Sequence, residues 1–240
     1  MFFEEKVMVD QTNTFVLSVG GSLIVPGGIV DTKFLSEFNA FIRNQVSAKK
    51  RRFFIVIGGG SIAGKYIEAA KDVRGKELTD ADKDWLGIHA TRLNAQLVRT
   101  VFQDIADPRV IKHYEIILKI EKPVAIAAGW KPGWSTDYDA VTLCADYGVR
   151  EVVNLTNIDK VYNKDPNKFT DAKPINTITW KKYRAMVGNT WSPRMSAPFD
   201  PIASKLAQEL GVTVKILNGK DLNNLAKALD NKEFHGTTIA

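Results

Sequence analysis

The sequence predicts an α/β fold: a three-layer sandwich with a mostly parallel central sheet between two layers of helices. Short apolar segments that lack polar alternation indicate strands covered on both faces. These segments alternate from end to end with longer ones of helical periodicity, and three of them end in glycine-rich or small turns. This order is typical of a parallel sheet joined by crossover helices.

The first half of the chain supplies two strands and three helices. Residues 15–19 and 53–57 are apolar and predict buried strands, each ended by glycines. Asp31 is placed to cap a helix between them, because apolar residues follow it at helical spacing. A further helix is expected from about residue 61, and a long helical stripe covers residues 81–102.

The second half continues the alternation. Residues 123–128 and 152–156 predict the third and fourth strands, with a helix that starts at Asp137 between them. Residues 157–174 are polar and irregular, which favours a functional loop over a linker. The remaining elements are expected to be a helix at 181–187, a helix at 201–210, a strand at 212–217, a helix at 222–229 and a last edge strand at 237–239.

Composition places the chain among soluble globular proteins. Its 240 residues are 45% hydrophobic and 25% charged, which excludes collagen-like, disordered and small disulfide-scaffold proteins. We expect a single domain over residues 1–240, with lobes at about 1–150 and 151–240. The lone Cys144 cannot form an intrachain disulfide, so a reducing compartment is the natural interpretation.

The net charge and the hydropathy of the chain indicate which kinds of molecule it can bind. The net charge of +6 suits a polyanionic ligand, although the same excess is also typical of a solvated face. The longest basic cluster, residues 49–52, precedes an apolar strand and favours a solvated turn over a nucleic-acid surface. No apolar run approaches the roughly 18 residues that a membrane span needs. Residues 1–10 mix Phe with Glu and Lys, unlike a signal peptide.

Glycine-rich turns follow three strands, at residues 20–22, 58–61 and 129–133. In open α/β sheets ligands bind beyond the carboxyl ends of the strands, and a helix N-terminus there suits phosphate. Tight strand-to-helix turns also need glycine for structural reasons alone. Residues 58–66 partly match two phosphate-binding motifs, but the dinucleotide motif lacks its acidic residue and Tyr66 replaces the Walker A Ser/Thr. Several such turns together predict an anion site.

These motifs carry a resemblance to a known family. VGGS (residues 19–22), IGGG (57–60), STD (135–137) and TNIDKVYNKDP (156–166) resemble, in order and spacing, the amino acid kinase superfamily. The likeness is strongest to its archaeal-type uridylate kinase branch. The segment DWLGIHATRLNA that begins at Asp84 resembles that branch's helix over the uridylate site, and the C-terminal GTTI resembles its closing strand.

The resemblance implies a UMP kinase that transfers the γ-phosphate of ATP to UMP, with Mg²⁺, giving UDP in pyrimidine nucleotide biosynthesis. It also implies a cytoplasmic homo-oligomer, a hexamer built of dimers, with small-molecule nucleotides as its ligands and neither nucleic acid nor membrane as a partner. The N-terminal lobe would take the acceptor nucleotide and the C-terminal lobe ATP.

The resemblance also assigns site residues. For UMP they are Gly58, Gly59, Asp84, Thr91, Ser135, Thr136 and Asp137. For ATP they are Gly20, Gly21, Ser22, Asn157, Tyr162 and Asp165. Catalytic roles fall to Lys205, Asp137 and Asp200, with Asp137 also near the metal and Lys205 as the cation beside the transferred phosphoryl group.

Each assignment has a plainer interpretation. At the helix start of residues 135–137, Thr136 or Asp137 also suits plain capping, as does Asp200 at a later helix, and Asp84 suits the helix dipole. Asp165 followed by Pro166 is typical of an ordinary turn, and Lys205 of a solvated helix face.

Several residues depart from the family pattern. Ser18 stands where bacterial relatives have a lysine and archaeal ones an acid, and Lys160 replaces a common glycine. Trp130 and Trp134 make the third glycine turn bulkier than usual, and WSPR at 191–194 is unusual too. Two alternatives therefore stay open. One is a sibling kinase acting on carbamate, acetylglutamate, aspartate or isopentenyl phosphate, and the other is a non-catalytic nucleotide- or anion-binding protein.

Overall fold

Ten strands are present in a computed structural model of the chain, which describes residues 10, 13–166, 168–190 and 197–240. Eight of them form the central sheet, and two form a separate antiparallel hairpin. In chain order they are β1 (Thr14–Val19), β2 (Arg52–Ile57), β3 (Ala106–Ile111), β4 (Val124–Ala127), β5 (Glu151–Thr156), β6 (Val161–Tyr162), β7 (Pro174–Ile175), β8 (Thr177–Ile178), β9 (Thr213–Asn218) and β10 (Thr237–Ile239).

The sheet order is β3-β4-β2-β1-β5-β9-β10-β8, and every neighbouring pair is parallel except β9 with β10. The central strand β1 pairs with β2 on one side and with β5 on the other, so that Val16 lies opposite both Phe54 and Val152. From β1 the sheet extends to β2, β4 and β3 on one side and to β5, β9, β10 and β8 on the other, so the order of the strands reverses at β1. Such a switch point opens a crevice at the carboxyl ends of the strands, where ligands bind in open α/β sheets.

Helices cover both faces of the sheet. In chain order they are α1 (Gly21–Ile24), α2 (Thr32–Lys49), α3 (Gly60–Arg74), α4 (Asp80–Val101), α5 (Thr136–Tyr147), α6 (Trp180–Val187), α7 (Pro201–Leu210) and α8 (Leu222–Leu229). The side chains of Val16 and Phe54 pack with α5, α6 and α7 on one face. Those of Leu17 and Ile55 pack with α2, α4 and α8 on the other. This alternation explains the continuous apolar strands, and it confirms the predicted three-layer fold.

The structure differs from the sequence-based expectation at three places. Strand β3 was not predicted, because its ADPRVI sequence carries Pro108 and two charged residues. It is an edge strand, where a missing N–H is tolerated. Strand β10 is not the edge strand we expected, since β8 pairs beside it. The irregular loop at 157–174 contains the β6–β7 hairpin.

Helix starts follow the predicted capping chemistry. The N–H of Phe34 donates to Asp31 Oδ1 at 2.9 Å, as expected for the cap of α2. Residues 1–9, which we compared with a signal peptide, and the WSPR segment at 191–194 lie outside the described residues. Within the part of the chain that the structure describes, no helix is both long and apolar enough to cross a bilayer.

Candidate active site

The glycine turns after β1 and β2 touch each other through their backbones. A Cβ on Gly21 would lie 2.1 Å from the backbone N of Gly60 and 2.4 Å from the O of Gly58, far inside van der Waals contact. Gly60 also has a φ of +63°, which side chains rarely adopt. The glycines are therefore required by the packing of the two turns. That packing fixes the N-terminus of α3 beside the end of β1.

Two amides that the sequence assigned to phosphate are used inside the fold. Gly20 donates its N–H to Leu155 O at 2.8 Å, and Gly58 donates its N–H to Val19 O at 2.9 Å. The first N–H groups of α3, from Gly60 onward, are available to a phosphate at this turn, since a helix start has no internal acceptors for them.

Two carboxylates meet where α5 and α7 begin. Asp137 Oδ2 accepts the N–H of Asp200 at 3.2 Å, and Asp137 Oδ1 accepts the Ser18 hydroxyl at 3.2 Å. Asp200 Oδ1 caps α7 by accepting the N–H groups of Ile202 at 2.6 Å and Ala203 at 3.0 Å. Its Oδ2 accepts the hydroxyl of Ser135, which itself caps α5. Strand β1 and two helix starts thus hold the pair together.

This junction raises the pKa of both carboxyls. Burial, and then the nearby charge of Asp200, raise the pKa of Asp137 to about 7, even though the residue as a whole retains partial exposure. Burial also raises the pKa of Asp200, opposed by its hydrogen bonds from Ser135 and the start of α7. The raised pKa values show that the ionised forms of the two carboxyls are unfavourable here, so a bound positive ion would stabilise them.

An acceptor cleft of about 280 Å³ opens between α4, the start of α3 and the start of α5. It unites six of the seven residues that the sequence assigned to UMP, all but Gly58: Gly59, Asp84, Thr91, Ser135, Thr136 and Asp137. Asp200 borders the same cleft. Lys83 also borders it, and the sequence analysis did not single out this lysine. Trp134 lines the cleft, whereas Trp130 is buried behind the turn.

Helix α4 is hydrogen-bonded to the second and third glycine turns, at residues 58–61 and 129–133. The Thr91 hydroxyl accepts the N–H of Gly129 at 2.8 Å and donates to Ile88 O at 2.7 Å, so its only hydrogen is already used. Asn94 Nδ2 donates to Gly58 O at 2.9 Å and Gly59 O at 3.1 Å.

Arg92, on the same helix, donates to the carbonyls of Gly129 at 3.2 Å and Trp130 at 2.8 Å. Sequence reasoning missed these fastening roles of Arg92 and Asn94. The sequence offered no clear signal for them, because polar residues occur along the whole of α4.

Asp84 connects α4 to the third glycine turn across the cleft. Its Oδ2 accepts the N–H of Gly133 at 2.8 Å, at a glycine whose φ is +84°. Burial raises the pKa of this carboxyl, although the Gly133 hydrogen bond opposes the shift. One carboxylate oxygen of Asp84, a residue that the resemblance assigned to UMP, is thus already bonded to the backbone.

A donor cleft of about 410 Å³ lies beside the acceptor cleft, beyond the end of β5. Asn157, Tyr162 and Asp165, which the resemblance assigned to ATP, line it. Lys160 lines it too, and its Nζ donates to Asn176 Oδ1 at 2.6 Å. The two clefts share Ala197 as a wall. Gly20, Gly21 and Ser22 lie at the end of β1 but are not among the described lining residues of either cleft.

Lys205 is not brought to this junction. It lies on the outer side of α7, its side chain is 60% exposed, and its Nζ is 3.9 Å from Glu209 Oε1. It borders neither cleft in the described part of the chain. A larger open depression of about 620 Å³ lies at the opposite, amino-terminal edge of the sheet, where Arg51 is already paired with Asp230 at 2.7 Å.

A switch-point crevice, two adjoining clefts and several helix starts around them are typical of α/β proteins that bind phosphate-bearing ligands. The sequence matches the family model described as "Amino acid kinase family" over residues 13–112 and 115–218. The chain belongs to the amino acid kinase family.

Its relatives and structural neighbours carry related names. The chain is 31% identical over 230 residues to a uridylate kinase of Methanocorpusculum labreanum, covering 93% of this chain and 94% of the relative. It is 32% identical over 227 residues to a uridylate kinase of Pyrococcus abyssi, with 93% and 98% covered. The crystal structure of uridylate kinase from Archaeoglobus fulgidus superposes with a TM-score of 0.77 at 27% identity, covering 95% of this chain and 100% of that one.

Proposed function

We propose that this protein is a uridylate kinase, which transfers the γ-phosphoryl group of ATP to the phosphate of UMP and yields ADP and UDP. One observation carries the proposal: two adjoining clefts share the wall at Ala197, with the Asp137–Asp200 pair at the acceptor side of that junction. The uridylate kinase relatives, which cover more than 90% of the chain, support the same acceptor.

The reaction needs no covalent intermediate with the protein. An oxygen of the UMP phosphate attacks the γ-phosphorus, the bond from that phosphorus to the β,γ-bridging oxygen breaks, and ADP leaves with the electron pair. A phosphate monoester is already largely dianionic at pH 7, so no general base is required. Catalysis then depends on alignment and charge neutralisation. The geometry of the clefts supplies the alignment.

The carboxyl groups that border the acceptor cleft suit a Mg²⁺ ion. Mg²⁺ is commonly held by one or two carboxylates together with substrate phosphates. No group of three or more potential metal-ligating side chains occurs among the described residues, but Asp137 lies in a negatively charged, enclosed position. Asp137 would therefore hold the ion, since each of its oxygens accepts a single hydrogen bond of 3.2 Å, whereas Asp200 Oδ1 accepts two shorter ones from the start of α7. When bound, Mg²⁺ neutralises phosphate charge during transfer.

The remaining residues have positioning roles in this proposal. The start of α3, with Gly59 before it, presents N–H groups to the acceptor phosphate. The start of α5 presents N–H groups and the Thr136 hydroxyl, because the Ser135 hydroxyl already donates to Asp200. Asp84 has one oxygen bonded to Gly133 and the other facing the ribose. In the donor cleft, Asn157, Tyr162 and Asp165 flank the adenosine of ATP. Thr91 acts on the acceptor turn through its bond to Gly129.

The proposed assembly is a homohexamer built of dimers, working in the cytoplasm. Ile29, Tyr66 and Val73 expose 78%, 63% and 84% of their surface on α3 and the turn packed against it, which is where apolar contact between copies would be favourable. Light scattering after size-exclusion chromatography is expected to give six times the chain mass of 26.7 kDa. A monomer would exclude the assembly without affecting the proposed reaction.

An ADP-release assay with ATP and Mg²⁺ tests the function directly. UMP, CMP and dUMP are compared with carbamate, acetylglutamate, aspartate and isopentenyl phosphate as acceptors. We expect turnover with UMP above all others. Turnover on a carboxylate or carbamate but not on UMP would instead identify a sibling kinase, and ATP binding without any turnover would identify a non-catalytic binding protein.

A further inference from the structure

The acceptor cleft carries an excess of negative charge. Asp84, Asp137 and Asp200 all border it. A nucleoside monophosphate would bring a further charge of about −1.5 to −2 at pH 7. Like charges within a few ångströms repel strongly where water is partly excluded. The cleft therefore needs a positive side chain that can face the acceptor.

Neither Lys205 nor Arg92 meets this need. Lys205 is on the outer face of α7 beside Glu209. Arg92 is committed to the carbonyl oxygens of Gly129 and Trp130, where it holds the acceptor turn from behind. Among the described residues that line the acceptor cleft, Lys83 alone carries a positive charge.

Lys83 is well suited to receive an anion. Its side chain is 28% exposed, near the start of α4, and its Nζ donates to Asp80 Oδ1 at 2.8 Å. The Asp80 side chain is 74% exposed, and such an i,i+3 pair on a helix surface is weak. An ammonium group has three donors, so Lys83 can bind a phosphate oxygen with or without releasing Asp80.

We propose that Lys83 binds the phosphate of the acceptor nucleotide, across the cleft from the first amides of α3. This inference rests on the proposed function, because it takes UMP as the acceptor. It replaces Lys205 as the source of side-chain charge on the acceptor side. Lys83 contacts substrate in this assignment and is a binding residue for the phosphate, whereas Asp84 beside it faces the ribose.

The test compares a ligand that carries the phosphate with one that lacks it. Kinetic constants for UMP and ATP are measured for the wild type and Lys83→Gln, together with the dissociation constants of UMP and uridine. We expect Lys83→Gln to raise KM and Kd for UMP about tenfold or more, as for loss of a charge-assisted hydrogen bond. Uridine affinity and KM for ATP are expected to stay within about twofold. Lys83→Arg should retain most UMP affinity.

Two matched controls separate this role from a structural one. Asp80→Asn removes the present partner of Lys83 and should leave KM for UMP unchanged or lower it. Lys71→Gln removes an exposed lysine of α3 and should change nothing.

An unchanged KM in Lys83→Gln, an equal loss of uridine affinity, or the same rise in Asp80→Asn would each overturn the proposal. If the wild type does not turn over UMP, the proposed function fails instead, so the two failures are distinguishable.

Discussion

The hydroxyl of Ser18 donates to Asp137 Oδ1 at 3.2 Å, from a strand residue that is only 3% exposed. The residue that departs most clearly from the family pattern therefore contacts the carboxylate that we assign to the metal. A hydroxyl supplies no charge, but it fixes one oxygen of Asp137 while the Asp200 N–H fixes the other. In this chain the end of β1 orients the carboxylate, and the positive charge must come from elsewhere.

We expect Ser18→Ala to lower kcat about tenfold with little change in KM for UMP, because one hydrogen bond to a charged group is lost. Steady-state kinetics with ATP and UMP measure both constants. Ser18→Thr, which keeps the hydroxyl, should retain most of the activity. If the alanine variant instead raised KM for both nucleotides, or if threonine failed to restore kcat, Ser18 would have a general structural role.

The stability of the fold should depend on pH through Asp137. Its pKa is about 7 in the folded protein against an ordinary value of 3.8, so the folded state binds the proton more tightly. The resulting stabilisation is full below pH 3.8 and is lost as the pH rises to about 7. The loss is at most about 1.4 kcal/mol per pH unit in that window.

Urea unfolding between pH 5 and 8, without divalent cations, measures this slope. Asp137→Asn should flatten it, since no proton is then taken up at this position. An equal slope in the wild type and the variant would show that other groups cause the dependence.

Thr91→Val should weaken UMP binding while leaving ATP binding intact. The substitution keeps the shape of the side chain but leaves the Gly129 N–H without its acceptor, at a cost of about 1–3 kcal/mol. We expect KM for UMP to rise severalfold, because the third glycine turn loses one of its hydrogen bonds to α4 and keeps only those that involve Arg92 and Asp84. Thr100→Val, which changes an exposed threonine of the same helix, is the matched control. Equal effects of both variants would exclude a specific role for Thr91.

Gly21→Ala should destabilise the fold by about 3 kcal/mol or more, because backbone atoms on both sides leave no room for a methyl group. The Cβ would meet Gly60 N at 2.1 Å, and neither turn can move without the other. Gly87→Ala offers the contrast: a Cβ there meets nothing within 4 Å, and helix propensity should add up to about 1 kcal/mol of stability. Thermal and urea unfolding measure both changes. A mild loss in Gly21→Ala would mean that the turns are not tightly packed.

Much of the fold was predictable because local patterns already carry the information. Apolar strands covered on both faces identified β1 and β2, and Asp31 identified the start of α2. Strand β3 escaped prediction because its pairing with β4 at the sheet edge overrides a sequence with proline and two charges. The motifs predicted which residues would lie near one another only in part. Six of the seven residues assigned to UMP line the acceptor cleft, and three of the six assigned to ATP line the donor cleft.

The sequence by itself determined the family, the alternation of strands and helices, and the glycines that two touching turns demand. Only the tertiary structure decided which side chains face the clefts. The sequence does not distinguish Lys83, near the start of α4, from Lys205 on α7. In the structure Lys83 borders the acceptor cleft, whereas Lys205 faces solvent. The physical reason is that a helix points each residue in a direction set by its packing against the sheet, and this packing involves residues far away in the chain.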